Sequence, residues 1–105
     1  MNVSDFSSFV RPLPHPGEHL REDILPEYGL TAFTLAEAMG LKDEGRIEQI
    51  IQETMPISPD IALRLAKVFS TSVDFWMDLQ IHHDLSKAAI LARRELAAIR
   101  PLNAA

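Results

Sequence analysis

The sequence contains no cysteine among its 105 residues. Without thiols the chain can form neither a disulfide bond nor a thiolate metal site. It also lacks a run of about twenty apolar residues, which a helix needs to cross a membrane. The N-terminal sequence MNVSDFSSFVRP has no basic segment followed by an apolar block, so we expect no export signal. These absences predict a cytoplasmic protein with no membrane partner.

Catalytic and ligand-binding patterns are missing as well. We find no glycine-rich phosphate loop, no Ser/His/Asp set and no internal repeat, and we therefore expect no enzyme and no cofactor. His15 and His19 have no suitable third ligand nearby. The neighbouring His82 and His83 point in different directions, which argues against joint ligation. We predict no metal site.

Positive charge is scarce. Ten Lys and Arg residues face fifteen Asp and Glu residues, which gives a formal net charge of −5. Non-specific affinity for nucleic acid comes mainly from Lys and Arg side chains that neutralise phosphates. Any DNA binding must therefore depend on a local basic patch, on helix N-termini or on dimerisation. The same acidity suits a basic protein partner.

Apolar residues are plentiful, at 47% of the chain, and this content supplies the core of one small domain. Their helical spacing predicts an all-α fold, a compact domain of five or six helices. The central stretch, residues 32–58, indicates a helix-turn-helix. Gly40 is placed where the chain must turn between the two helices. The inward-facing positions are Leu35, Ala36 and Met39 of the first helix and Ile47, Ile50 and Ile51 of the second.

The remaining segments divide around this pair. We assign residues 1–14 to an N-terminal arm, residues 15–84 to the helix-turn-helix domain and residues 85–105 to a C-terminal helix and tail. The arm either packs on its own domain or docks a partner. Helix starts are predicted at His15-Pro16, at Thr31 and at Ser58-Pro59-Asp60. Thr71 and Asp74 have the spacing of a further capping box. Pro26 and Gly29 are expected to end the first helix near Tyr28.

Apolar residues recur at alternating intervals of four and three near the C-terminus. The positions are Leu85, Ala89, Ala92, Leu96 and Ile99. Such a seam is typical of a helix that packs against another helix, and we predict that it forms a homodimer interface. The alternative is that this helix folds back on its own core.

Four blocks of the sequence together resemble HigA-type antitoxins, repressors with a lambda-repressor-like, five-helix DNA-binding fold. The blocks are HPGEHLRE (residues 15–22), the predicted helix-turn-helix, PISPDIALRLAKVF (residues 56–69) and TSVDFWMDLQIHHDL (residues 71–85). The resemblance covers roughly residues 14–88. It implies a dimeric cytoplasmic protein that represses its own operon by binding operator DNA. It also implies neutralisation of a small basic toxin, usually a ribosome-dependent ribonuclease.

The second helix of the pair carries the predicted DNA contacts. Arg46, Gln49 and Gln52 share a face suited to base edges, while Thr31 and Lys42 flank the turn and are expected to touch phosphates. The alternative for Arg46 is an ion pair on the surface with Glu44, Glu48 or Glu53.

The sequence departs from the family pattern where DNA would be read. Members of the family commonly have Gln, which contacts a phosphate, at the position of Ala32. Between Lys42 and Glu53 there are four acidic and two basic residues. This acidic turn and the net charge of −5 support the alternative function, a protein-interaction antitoxin or regulator whose helix-turn-helix has lost operator binding.

Overall fold

A computed structural model describes residues 8–103, and this part of the chain contains helices and no strand. The first helix, α1, covers residues 16–28 as α-helical Pro16–His19, π-helical Leu20–Ile24 and α-helical Leu25–Tyr28; α2 is Ala32–Ala38, α3 is Gly45–Ile51, α4 is Pro59–Phe69, α5 is Val73–Leu91 and α6 is Arg93–Ala98. The predicted all-α fold of five or six helices is confirmed. None of the helices in residues 8–103 is long and apolar enough to cross a membrane.

Helix α1 begins as predicted and ends at Tyr28, also as predicted, but Pro26 does not end it. The His15 side chain caps the helix, because its Nδ1 accepts a hydrogen bond from the Gly17 amide at 2.9 Å. Pro26 lies inside the last turn rather than stopping the helix. The preceding turn is π-helical, with the Leu25 amide bonded to the Leu20 carbonyl, and this wider turn accommodates a residue that cannot donate. Gly29, at φ 62°, ends the helix.

The predicted N-terminal cap is confirmed for α4 and wrong for α5. Ser58 caps α4 by accepting a hydrogen bond from the Ile61 amide at 3.3 Å, as predicted. The predicted capping box of Thr71 and Asp74 is wrong, because Ser72 caps α5 instead. The Thr71 hydroxyl accepts a hydrogen bond at 2.7 Å from the indole N–H of Trp76. A buried indole needs such a partner, and Thr71 supplies it.

The core lies between α1, the α2–α3 pair, α4 and α5. Its fully buried large side chains are Leu20, Leu35, Ile47, Ile50, Ile61, Leu65 and Trp76. Helix α4 buries one face in the core. The side chains of Ile61, Ala62, Leu65 and Ala66 are buried, while Leu63 is 58% exposed. The helix is therefore amphipathic, not apolar on every side.

The described part of the arm packs along α5. The Leu13 amide donates to the Ser86 hydroxyl at 2.8 Å, and the His83 ring donates to the Leu13 carbonyl at 2.6 Å. Arg93 donates to the Phe9 carbonyl. Residues 1–7 of the predicted arm lie outside the described residues. Helix α5 passes without interruption through residues 84 and 85, so the predicted boundary between the domain and the C-terminal helix falls inside one helix. The helical geometry is interrupted at Ala92, between α5 and α6.

Candidate nucleic-acid interface

Helices α2 and α3 form the helix-turn-helix that the sequence predicts. Gly40 adopts φ 73°, a left-handed conformation, and the next amide, of Leu41, bonds back to the Ala36 carbonyl at 2.9 Å. This arrangement closes α2 and turns the chain toward α3. Ala36 is buried, and its small side chain suits close packing at this position.

Thr31 lies at the N-terminus of α2, where it caps the helix as predicted. Its hydroxyl accepts from the Thr34 amide at 3.1 Å, while the Thr34 hydroxyl accepts from the Thr31 amide at 2.8 Å. Two threonines therefore form a capping box. Both side chains are exposed, so this end of α2 is open to a ligand.

The acidic turn before α3 has a structural role. Asp43 Oδ1 accepts a hydrogen bond from the Gly45 amide at 2.9 Å, and thus satisfies one of the free amides at the start of the helix. A carboxylate is also favoured at this positive end of a helix. Lys42 is exposed beside it, whereas Glu44 is half-buried.

Arg46 lies in the first turn of α3 and makes contacts that the sequence did not predict. Its Nη1 lies 3.4 Å from Asp60 Oδ2, and its Nη2 donates to the Ser58 hydroxyl at 3.3 Å. Both charged side chains of the ion pair are about half exposed, at 44% and 52%. The expected partners Glu44, Glu48 and Glu53 are not used, because the guanidinium extends away from its own helix toward the start of α4.

Asp60 also binds a second guanidinium. Its Oδ1 accepts from Arg64 Nε at 3.0 Å, and Arg64 Nη1 donates to the Met39 carbonyl at 2.7 Å, where α2 ends. The hydrogen bond from Arg64 lowers the pKa of the Asp60 carboxyl below its usual value, and Arg46 adds a smaller effect in the same direction. The sequence places Asp60 only at a helix start and does not identify Arg64, since their contacts depend on how α4 packs against the turn.

Gln49 and Gln52 extend the exposed surface of α3 beyond Arg46. Within residues 8–103, the side chains of Lys42, Gln49 and Gln52 make no hydrogen bond or ion pair. The Gln49 carbonyl accepts from both the amide and the hydroxyl of Thr54, which closes the C-terminus of the helix. All three side chains are therefore free to contact a ligand.

Helix α1 holds the C-terminus of α3. A Cβ atom added to Gly17 would lie 1.8 Å from the Ile50 carbonyl oxygen, so the two backbones touch where any side chain would collide. Arg21 donates to the Ile51 carbonyl at 2.5 Å and to Glu53 at 3.1 Å. The sequence signal for this contact is Gly17 itself. A glycine in a helix destabilises that helix, so its presence in the first turn indicates that another part of the chain packs closely there.

The predicted C-terminal seam forms one side of an apolar groove of about 590 Å³. The groove is lined by Leu85, Ala88, Ala89, Ala92, Arg93, Leu96 and Ala97. Leu85 and Leu96 are 47% and 51% exposed, so this part of the chain does not fold back on the core. Four of the five predicted residues thus lie together. Ile99 follows the end of α6 and lies outside the groove.

Metal ligands do not cluster in the part of the chain that the structure describes. No three His, Cys, Asp and Glu side chains there are close enough to hold an ion. His15 and His83 approach each other with ring centroids 5.0 Å apart, but His15 is occupied in capping α1.

Comparison with known proteins shows the family. No protein-family model matches the chain. Virulence-associated protein I of Dichelobacter nodosus is 40% identical over 77 residues, which cover 73% of this chain and 70% of that protein. The Pseudomonas aeruginosa antitoxin HigA, solved with the higBA promoter, superimposes with a TM-score of 0.80 and 35% identity over 87% of this chain and 99% of that one. The chain belongs to the HigA family of antitoxins.

Other relatives of this HigA-family antitoxin agree with the assignment. Antitoxin GraA in complex with its operator gives a TM-score of 0.78 and 35% identity, and the match covers 90% of this chain and 95% of GraA. The Escherichia coli regulator YbaQ, an uncharacterised HTH-type transcriptional regulator, is 36% identical over 70 residues, and the match spans 61% of its length. The predicted resemblance is confirmed. Antitoxins and transcriptional regulators are not enzymes, and the HigA-family chain is not one.

Proposed function

We propose that this HigA-family antitoxin binds operator DNA upstream of its own gene as a homodimer, represses transcription there, and neutralises a small basic toxin protein. One observation carries the DNA-binding part. The outer face of α3 is exposed, and the Gln49 side chain on it makes no hydrogen bond or ion pair within residues 8–103. The chain is 35% identical to an antitoxin solved with the higBA promoter. A helix presented in this way can enter a major groove.

The residues of α3 suit base recognition. Arg46 lies at the N-terminal end of the helix, where side chains reach base edges, and arginine pairs best with guanine. Gln49 and Gln52 follow on the same surface and can pair with adenine. Thr31 and Lys42, at the start of α2 and before α3, are placed to contact phosphates.

The C-terminal groove supports the homodimer. Its apolar residues remain exposed in a single chain, and a second copy related by a two-fold axis would cover them. Two copies of α3 would then face two half-sites of a symmetric operator. The pairing also helps an acidic chain to bind DNA, because each copy contributes its own cations.

The toxin partner is supported by family and by charge. The chain belongs to a family of antitoxins, and its net charge of −5 favours a basic protein partner. We propose that this partner is a ribonuclease toxin and that both proteins act in the cytoplasm, where the operator is found.

The test is an electrophoretic shift with the DNA upstream of the gene, compared with shuffled DNA of equal length. Arg46→Ala should weaken operator binding by about 1–3 kcal/mol and reduce the preference over shuffled DNA. Lys42→Ala should weaken binding to both DNAs equally and reduce the salt dependence by about one unit. The matched control is Arg100→Ala, which removes one positive charge beyond α6 and should leave the preference unchanged.

The second candidate is an antitoxin that binds its partner protein but no operator. The observation in its favour is the balance of four acidic and two basic residues between Lys42 and Glu53, because carboxylates close to DNA repel phosphates. In that case the parent protein shows no preference for upstream DNA, yet it forms a complex with the toxin.

A further inference from the structure

Asp60 lies between two guanidinium groups at the edge of the proposed DNA-binding surface. Its Oδ2 faces Arg46 of the recognition helix α3 at 3.4 Å, and its Oδ1 accepts from Arg64 Nε at 3.0 Å. The Ser58 hydroxyl, which also caps α4, accepts from the other Nη of Arg46 at 3.3 Å. The start of α4 thus supplies two oxygens to one arginine.

The carboxylate is oriented independently of Arg46. Arg64 comes from the same helix, four residues after Asp60, and its Nη1 is fixed on the Met39 carbonyl at 2.7 Å. This chain of contacts connects α4 to the end of α2. Asp60 is a carboxylate at neutral pH, as an ordinary aspartate is. The hydrogen bond from Arg64, and to a smaller extent Arg46, lowers the pKa of its carboxyl further.

We infer that Asp60 is a positioning residue, which holds the Arg46 guanidinium ready to pair with a guanine; this inference rests on the proposed operator binding. A free arginine side chain has many rotamers, and the entropy lost on fixing it weakens binding. The contacts to Asp60 and Ser58 fix the group before DNA arrives. Arginine has five N–H donors, so donors remain for the two acceptors of guanine.

Asp60 has a second effect, which acts on DNA of any sequence. A carboxylate at this surface repels phosphates, so removing its charge raises affinity for non-specific DNA. The loss of positioning has the opposite effect. Without the Asp60 carboxylate, the Arg46 side chain is less well oriented, which lowers affinity where Arg46 reads a guanine. The loss of repulsion acts equally on operator and shuffled DNA and cancels in their ratio, whereas the loss of positioning acts on the operator alone. The preference for the operator therefore reports on positioning.

The experiment compares Asp60→Asn with Asp74→Asn in the full chain. Asp74 is the matched control, since it occupies the second position of α5 as Asp60 does in α4, and it makes no ion pair within residues 8–103. Affinities are measured by fluorescence anisotropy on labelled upstream DNA and on shuffled DNA of equal length at one salt concentration. Asp60→Asn should reduce the preference for upstream DNA about tenfold. Asp74→Asn should leave it unchanged.

A double variant tests whether Asp60 acts through Arg46. The preference of Arg46→Ala/Asp60→Asn should equal that of Arg46→Ala alone, because the carboxylate then has no guanidinium to position. Chemical denaturation of each variant confirms that it is folded. An additive loss in the double variant would overturn the inference, since Asp60 would then act by another route.

The outcomes separate the inference from the proposed function. If the parent prefers upstream DNA and Asp60→Asn strengthens binding to both DNAs equally, the positioning role is wrong and operator binding stands. If the parent binds both DNAs alike, operator binding is wrong, and the role of Asp60 fails with it.

Discussion

Leu65 is fully buried at the centre of α4. Replacing it by alanine removes apolar contacts and leaves a cavity, so Leu65→Ala should lower the free energy of unfolding by about 2–5 kcal/mol. The matched control is Leu63→Ala on the same helix, where the side chain is 58% exposed and the change should cost about 0.5 kcal/mol. Chemical denaturation measures both. Equal effects at the two positions would contradict the assigned burial.

His15 should make stability depend on pH. Burial, followed by the nearby charge of His83, lowers the pKa of His15 below its ordinary value of 6.5, although Glu53 and Asp84 oppose this. The unfolded chain then binds the proton more readily, so stability is lost as the pH falls through about 6.5. His15→Asn keeps a capping side chain without the titration.

The free energy of unfolding of the parent should therefore decrease more than that of His15→Asn when the pH falls from about 7.5 to about 5.5, one unit either side of the ordinary value. Urea denaturation at several pH values measures the difference. Parallel pH profiles for the two proteins would contradict a lowered pKa at His15.

Single residues were predictable from sequence where the contact is local. Thr31 caps α2 because a hydroxyl three residues before a free amide is a local arrangement. The partner of Arg46 was not predictable. Asp60 is fourteen residues away on another helix, and the direction of a long arginine side chain leaves no periodic signal in the sequence.

The recognition helix α3 begins with an acidic turn whose effect on DNA can be measured. Replacing Asp43 and Glu44 by serine removes two negative charges, and a serine at position 43 still offers an oxygen to the start of the helix. The double variant should bind DNA about 1 kcal/mol more tightly, roughly fivefold. The control is Asp78→Ser/Glu95→Ser on α5 and α6.

Binding of both double variants to upstream DNA is compared at low and at moderate salt, because the gain should shrink as salt screens the charges. If the Asp43 and Glu44 variant binds no better than the parent, the acidic turn faces away from DNA.

The helices could be predicted from apolar periodicity and capping residues, but the irregular turns within them could not. The start of α4 at Ser58-Pro59 and the turn at Gly40 are marked by residue types with strong local preferences. The π-helical turn before Pro26 has no such marker, since the apolar residues Leu20, Ile24 and Leu25 also fit the spacing of an ordinary α-helix. Likewise, the four-and-three spacing continues through Ala92, where the helix breaks.

The assembled molecule is expected to be a dimer held by the C-terminal groove. Leu96→Asp places a charge among the lining residues, and a charge buried without a partner opposes association. Sedimentation at micromolar concentration should change from a dimer to an 11.8 kDa species. Leu102→Asp is the control, because Leu102 lies outside the groove and is 97% exposed. A parent that sediments only as the small species would contradict the dimer.

For the molecule as a whole, the sequence predicted both the family and the fold, because four sequence blocks in the right order specify a known arrangement of helices. It left open whether the C-terminal segment folds back on the core. Leu85 and Leu96 remain exposed on either side of Ala92, where the backbone leaves α-helical geometry between α5 and α6.

The contact at Gly17 sets how much freedom α3 has. Main chain meets main chain there, with no side chain between them to bend or change rotamer. Arg21 donates a hydrogen bond to the Ile51 carbonyl at the same C-terminal end of α3. The recognition helix therefore cannot slide along its axis without moving α1 as well. We therefore expect new sequence preferences to arise by exchange of side chains on α3 and not by a shift of its backbone.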